Sequence, residues 1–590
     1  MCGILGYIGN ENAVPILING LKKLEYRGYD SAGIAIINGN SAIIEKDIGK
    51  VEDVEKKIDL NSMNGTIGLA HCRWATHGSV TKENAHPHFD CEEKIAVVHN
   101  GIIENYQELK RSLISSGHKF RSQTDTEVLP HLIEEIMKRG KNFHDATASA
   151  IRALEGSYAV LILNRNERKL IAARKGSPLV LGVSDSGYFA ASDIPAFLEH
   201  TKNIVYMHDY DLALLTDNGL KVFNLMENRE VDRKIDTVDW DIKQAEKGEF
   251  EHFMLKEISE QVDTIQRAAQ QNKELIDHVV KEIRNARGIF FVAAGSSHHA
   301  CLAASYIMSK VSKLHINVVL ASEFPHYEHY LTDKTLVIAV SQSGETADVL
   351  EAVRTAKAKK SKIISLVNVI GSSLTRTSDM FLNINAGPEI GVLSTKTYTS
   401  QLALFTLLSY VLIDKYDEGK RKLTYLWNEI YHLTSATTRE KIKELAEKLQ
   451  DKEHIFLIGR GLQYATALEA ALKIKEVSYI HAEALAGGEL KHGTIALIEN
   501  GTPCIVFVSE ENEKEILSNA MEIKSRGGYI IGVSPKNNDI FDFWIKVPEA
   551  NHENPIVHII PIQILAYQLA VLRGLDPDRP RNLAKSVTVK

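Results

Sequence analysis

Apolar runs of strand length recur along the whole chain, but their setting changes near residue 250. Before that point the runs Ile34–Ile37, Ile67–Ala70, Ile95–Val98, Tyr158–Leu163, Leu170–Ala173 and Leu212–Leu215 are punctuated by Gly, Asn and Asp, with helical patterns between them. That pattern predicts an α+β layered domain over residues 2–225. Residues 226–251 turn charged and lose any apolar period, which reads as a linker into a helix near His252–Ala269. Beyond it the runs Ile289–Ala293, Leu336–Val340, Ile363–Val367, Ile455–Ile458, Ile505–Val508 and Tyr529–Val533 alternate with helical patterns. Near-continuous apolar strands between helices predict parallel sheets covered on both faces.

The second half also repeats. IFFVAAGSSHHACLAASYIM from 289 matches IFLIGRGLQYATALEAALKI from 455, and TLVIAVSQSGETADVLEAVRTAKAK from 335 matches PCIVFVSEENEKEILSNAMEIKSRG from 503. The offsets, 166 and 168 residues, predict two similar α/β domains in tandem, 252–440 and 441–590. The copies diverge at the first residues after each strand, where open α/β sheets bind ligands.

A chain of 590 residues exceeds one hydrophobic core. With 69 basic against 76 acidic residues the net charge is −7, which points to no nucleic-acid or anionic-membrane partner. The five cysteines, at 2, 72, 91, 301 and 504, show no CxxC spacing, so neither a zinc knuckle nor a disulfide framework is expected. The N-terminus lacks a signal-peptide pattern, and the apolar stretch Leu402–Ile413 is short for a membrane span. The expected compartment is the cytoplasm.

Two segments bear on chemistry directly. Ser296-Ser297 and Ser341-Gln342-Ser343-Gly344-Glu345-Thr346 each follow a strand and precede a helix, at His298–Met308 and from Ala347. Hydroxyls beside the free N–H groups of a helix start suit a phosphate. One such loop alone is more often a helix cap, but two at equivalent strand ends strengthen the phosphate reading. There is no Walker lysine and no GxGxxG, which disfavours a nucleotide. The second repeat carries Ser509-Glu510-Glu511-Asn512-Glu513 at the matching place, and its carboxylates would repel phosphate. One phosphate site, in the first repeat, is therefore expected. Cys2 is a third candidate. Removal of Met1 would leave a thiol beside a free α-amine able to shuttle its proton. On position alone an incidental cysteine after the start Met is the commoner case.

The surroundings change that reading. CGILGYIG, LEYRGYDSAGIA, HCRWATHG, NAHPH, VVHNGIIENY and TDTE occur in this order and together resemble the class II glutamine amidotransferase domain, of Ntn-hydrolase type. The resemblance implies that Cys2 is the nucleophile and that Asn100 and Gly101 form the oxyanion hole, although Asn-Gly alone is a common hairpin turn. It implies Arg73 on the glutamine α-carboxylate, Asp125 on the α-ammonium, and Trp74, Thr76 and His77 lining the site. For His77 and His86 a structural role stays as open as a chemical one.

The second half, with SQSGET, EIGVLSTKTYTSQ, KIKEVSYIHAEAL, GELKHG and RNLAKSVTVK, resembles a pair of sugar isomerase (SIS) domains. The whole set resembles the isomerizing sugar-phosphate aminotransferases that join an amidotransferase to two such domains. It implies glucosamine 6-phosphate and glutamate from fructose 6-phosphate and glutamine, with no metal, nucleotide or organic cofactor, and a homodimer. Phosphate contacts map to Ser296, Ser297, Ser341, Gln342, Ser343 and Thr346, and further sugar contacts to Val392, Ser394 and Ala584. Glu476 would move a proton between sugar carbons, with Lys473 on the same helix face. His492 would open the ring, and Lys585 would form an imine with the keto sugar. Two residues depart from familiar members: Ala294 replaces a cysteine, and Thr494 stands where proline is common.

Overall fold

The structure is a computed structural model, and it describes residues 2–38, 41–58, 63–75, 77–238 and 246–588. The chain forms two compact units, one up to residue 245 and the other from Glu246 to Leu583; the segment from Ala584 onward belongs to the first.

The first unit contains two antiparallel sheets. One has eight strands, with Gly3–Gly9 in its interior between Ile67–Arg73 and Gly187–Ala191. The other has seven, with Ile95–Ile103, Gly156–Asn164 and Glu167–Lys175 side by side. The period of two in a strand sends alternate residues to opposite faces. Ile4 and Ile8 accordingly meet Val98, Leu161 and Leu170 between the sheets, whereas Leu5 and Tyr7 turn to the helix Ala13–Leu24 on the outer side. Helices Val128–Lys138 and Phe143–Arg152 cover the far face of the second sheet. Helix, sheet, sheet and helix thus stack as four layers. Both faces of each central strand are buried, which is why those strands read as solid apolar runs. Within the expected linker, Arg229–Glu230 and Ile235–Thr237 add an edge strand to each sheet. Its charged, alternating sequence suits an edge half open to water, and hides the strand from an apolar-run criterion.

The second unit holds two parallel five-stranded sheets. Their strands follow the same spatial order, second–first–third–fourth–fifth, in Gly288–Asn383 and in His454–Lys546. The sequence repeat is therefore a structural repeat. One core runs through both, from Phe291 and Ile338 in the first sheet to Leu457 and Ile531 in the second. Between lie the wholly buried helix Lys396–Val411 and the helix Asn554–Leu572, buried except at Gln568, Val571 and Leu572. Among the described residues, the segment Asn551–Leu572 is long and apolar enough to cross a membrane; here it is 83% buried inside the molecule. The helix expected at His252–Ala269 is two helices, Phe253–Ser259 and Gln261–Ala268. In this strand order the direction of winding reverses between the first and third strands, leaving a crevice at their carboxyl ends. The helix start Ala294–Ser297 and the loop Ser341–Thr346 open there.

Candidate active site

Cys2 enters the strand Gly3–Gly9, whose partner strand ends at Arg73. That register carries the next residue to the thiol: the Trp74 N–H donates to Cys2 Sγ at 3.2 Å. Burial pushes the Cys2 thiol up, while the Trp74 hydrogen bond and Arg73 pull it down. The Asn100 side-chain amide donates to the Cys2 carbonyl at 2.8 Å, which sets it beside Cys2. Its oxygen faces His71 Nε2 at 3.1 Å, and the same Nε2 lies 3.0 Å from the His99 carbonyl. A His71 ring protonated on Nε2 donates to both oxygens and so fixes which end of the Asn100 amide points at Cys2. Burial holds His71 down at about 3, so the ring is neutral.

Gly101 has φ of +132°, and a Cβ there would lie 2.1 Å from the Ser157 carbonyl oxygen. Only glycine fits this crossing of strands. Gly28 is required by contact: a Cβ would stand 2.7 Å from the Arg73–Trp74 peptide. Arg73 is buried, and its guanidinium donates to the carbonyls of His77, Gly78 and Ser79. Asp30 accepts from the Ala75 N–H at 2.9 Å and holds the start of the same loop. Asp125 is buried, accepts from the Ile103 N–H at 2.8 Å, and lies 4.0 Å from His99 Nδ1. Trp74 stands edge-on to Tyr29, and half-buried His77 edge-on to Tyr106. Thr76 lies outside the described residues. His86 stacks on His71 with ring centroids 4.1 Å apart and accepts from the His99 N–H at 3.3 Å. Burial also holds it well below the usual histidine range, which favours its structural reading.

In the second unit Ser296 and Ser297 occupy the first turn of the helix Gly295–Ser312. Ser341 ends its strand and Thr346 caps the helix Ala347–Ala358. The loop between is folded by its own hydroxyls. Ser341 Oγ accepts from the Gly344 N–H and lies 3.0 Å from Thr346 Oγ1, and Ser343 Oγ accepts from the Glu345 N–H. Glu345 turns inward and accepts from the Ser373 N–H at 2.8 Å.

Lys473, on the helix Leu462–Ser478, is fully buried. Its ammonium donates to Ser296 Oγ at 3.0 Å and the Ser394 carbonyl at 3.2 Å, and pairs with Glu469 at 3.3 Å and Glu476 at 2.7 Å. Burial pulls the lysine down, but Glu469 and Glu476 outweigh it and the net direction is upward. Lys473 is therefore a fixed cation. Glu469, also fully buried, accepts from Ser296 Oγ and bonds His299 Nδ1, both at 2.8 Å. Burial raises this carboxyl, yet Lys473 and those hydrogen bonds bring it below its ordinary value. Half-buried Glu476 is the carboxylate of the trio that reaches outward. Ser394 Oγ lies 2.7 Å from Thr397 Oγ1, and the Val392 N–H donates to the Asp578 carbonyl. His492 is exposed at the end of the turn Gly487–His492. Half-buried Ala584 and Lys585 belong to the first unit.

The matching loop of the second repeat is built otherwise. Asn512 accepts from the Ser509 N–H at 2.8 Å, and Glu511 pairs with Lys310. A cavity of about 270 Å³ lies against it, lined by Arg460, Ser509, Glu511, Asn512 and Glu515 among others.

Sequence comparison bears on both units. The glutamine amidotransferase domain model matches residues 71–199, and the SIS domain model matches 282–410 and 448–573. A protein of Thermococcus kodakarensis, glutamine–fructose-6-phosphate aminotransferase [isomerizing], is 46% identical over 602 aligned positions that span all of both chains. This chain belongs to that family. The protein of the same name from Clostridium acetobutylicum is 43% identical, again over the full length of both chains. A solved structure of the C-terminal domain of glucosamine-fructose-6-phosphate aminotransferase from Francisella tularensis superposes with a TM-score of 0.52 at 35% identity. It covers 56% of this chain and 99% of that one. Membership gives both units a common purpose. Residues missed by reading motifs one at a time, His71, Glu469 and His299, bond to Asn100, to Ser296 and Lys473, and to Glu469 respectively. His71 had a signal in HCRWATHG, adjoining Arg73; Glu469 and His299 had none beyond lying one helical turn from Lys473 and three residues after Ser296.

Proposed function

We propose that this chain makes glucosamine 6-phosphate and glutamate from fructose 6-phosphate and glutamine, with the following division of labour. Cys2 Sγ attacks the glutamine carboxamide carbon, and its proton leaves with the departing ammonia. Water then cleaves the thioester to glutamate. The Asn100 amide and the Gly101 N–H stabilise the oxyanion, Arg73 and Asp125 hold the α-carboxylate and α-ammonium, and Trp74 and His77 border the substrate. Loss of Met1 would free the α-amine as the proton carrier.

Ser296, Ser297, Ser341, Gln342, Ser343 and Thr346 take the sugar phosphate, with Val392, Ser394 and Ala584 on the sugar. His492 assists ring opening and Lys585 forms the imine. Ammonia replaces the lysine at C2, and Glu476 carries the proton between C1 and C2. Lys473 pairs with Glu476 and holds its carboxylate in place. The observation that carries this half is the buried Lys473, which joins the phosphate-loop residue Ser296 to Glu476. A homodimer is part of the proposal, by likeness to the family. So is a reducing cytoplasmic setting, which the five free cysteines support.

Purified protein given both substrates should release glutamate and glucosamine 6-phosphate in equal amounts. Cys2→Ala should stop glutamine hydrolysis and leave fructose 6-phosphate binding intact. Glutamate release with no amino sugar would assign the ammonia to another acceptor.

A further inference from the structure

Four donor atoms converge in the first unit, outside the residues assigned to glutamine. Cys91 follows the strand His88–Phe89, His118 follows the helix Tyr106–Ser115, and His131 and Glu134 lie one turn apart on Val128–Lys138. Cys91 Sγ is 3.7 Å from His118 Nδ1 and 3.6 Å from His131 Nδ1. The two Nδ1 atoms are 3.3 Å apart. Glu134 Oε2 lies 3.2 Å from His118 Nδ1 and 3.6 Å from His131 Nδ1. All four ligand atoms fall within 4.8 Å of one another.

These are the edge lengths of a zinc tetrahedron. Zn–N of about 2.05 Å and Zn–S of about 2.3 Å separate ligands by about 3.3 Å between nitrogens and about 3.6 Å between nitrogen and sulfur. The outer partners agree. His118 Nε2 faces Glu135 at 3.3 Å, and His131 Nε2 faces Glu127 at 3.6 Å. A carboxylate at the far nitrogen favours the Nε2–H tautomer, as in carboxylate–histidine–zinc triads. Each Nδ1 then presents a lone pair to the other and to the Glu134 carboxylate. Lys138 and the Cys91 N–H hold that carboxylate, Lys138 on Oε1 at 2.7 Å and the amide on Oε2 at 3.1 Å. The ammonium thus occupies the oxygen turned away from the two rings. Lone pairs and a carboxylate this close repel one another unless a cation lies among them.

We propose that Cys91, His118, His131 and Glu134 bind one zinc ion as a closed structural site. The histidines and Glu134 are buried and Cys91 is half-buried, which gives the ion an approach from solvent. Glu127 also accepts from the Arg121 and Ser122 N–H groups, so the turn 121–127, which carries Asp125, is knitted to the zinc-holding helix. The ion would stiffen the segment that presents Asp125 to glutamine.

The test uses the full-length chain. Elemental analysis of protein produced with added zinc, after desalting, should find about one zinc per chain. Chelator-treated protein titrated with cobalt(II) should show a thiolate charge-transfer band and tetrahedral d–d bands. Cys91→Ser should lose the charge-transfer band, and the Cys91→Ser/His131→Gln pair should lose the stoichiometric metal. Cys2→Ser should keep it. A well-folded wild type that takes up neither metal stoichiometrically would overturn the proposal, whatever the variants do. So would a Cys91→Ser/His131→Gln protein that keeps its equivalent of zinc.

Discussion

His71 shows how a single buried side chain decides the chemistry of its neighbour. An asparagine amide offers a donor at one end and an acceptor at the other, and an oxyanion needs the donor. The neutral Nε2–H of His71 occupies the acceptor end of Asn100, which leaves the NH₂ for Cys2. His71→Leu removes that constraint without adding a charge. Glutamine hydrolysis should fall by about 10- to 100-fold in kcat, short of the loss of a whole oxyanion donor. Synthesis from free ammonia should be unchanged, and an equal fall in both activities would show a folding defect instead. Cys2 and Asn100 were readable as candidates from the motifs that contain them. His71 was not, because its role depends on which carbonyl and which amide the neighbouring strand brings to it.

At the scale of elements, the loop Ser341–Thr346, proposed above to hold the phosphate, depends on one left-handed residue. Gly344 has φ of +66°, and a Cβ there would lie 2.1 Å from Ser372 Oγ. Gly344→Ala must displace the loop whose hydroxyls are already placed by Ser341 and Thr346. The KM for fructose 6-phosphate should rise by about tenfold or more, with glutamine hydrolysis untouched. Steady-state kinetics of both half-reactions decides this, and an unchanged KM would exclude the loop from phosphate binding. The helix Asn554–Leu572 carries a different liability. His558 is fully buried in it, accepts from Gln463 at Nδ1 and faces the Pro548 carbonyl at Nε2. Burial holds its pKa at about 3, against 6.5 for a free histidine. Above pH 6.5 both folded and unfolded forms are neutral here. As pH falls from 6.5 toward about 3, the unfolded chain gains a proton that the folded one refuses, and stability drops. The urea midpoint should therefore fall between pH 7 and pH 5, and fall less in His558→Gln, which can keep both hydrogen bonds. An identical fall in the variant would assign the acid sensitivity to other groups.

At the scale of the whole molecule, the C-terminal segment is informative. Sequence periodicity assigned residues 441–590 to a single domain, yet the chain from Ala584 belongs to the first unit. A stretch with three apolar residues among its seven carries no signal of which core it will join. If Lys585 forms the sugar imine, borohydride with fructose 6-phosphate should fix the sugar on that residue, as peptide mass would show. Lys585→Arg should abolish both the labelling and synthesis, because a guanidinium stays charged, and should keep glutamine hydrolysis. Label on another lysine would displace the assignment.

Hydrophobic periodicity and local motifs were enough to set the architecture. Strands buried on both faces announce themselves as apolar runs, a tandem repeat announces itself by its offset, and glycines at forced backbone positions cannot be replaced cheaply. The strand order, the four-layer stack and the edge strands of the linker required long-range pairing that no window of sequence contains. The same holds for the chemistry that is assembled from separate segments. Ser296, Glu469 and Lys473 lie up to 177 residues apart, and their protonation states follow from burial beside one another. Cys91, His118, His131 and Glu134 have no diagnostic spacing, because two loop positions and one helix face bring their donor atoms together. Residue types and local conformation are properties of the chain, whereas dielectric, tautomer and ligand geometry arise only when distant segments exclude water around one another.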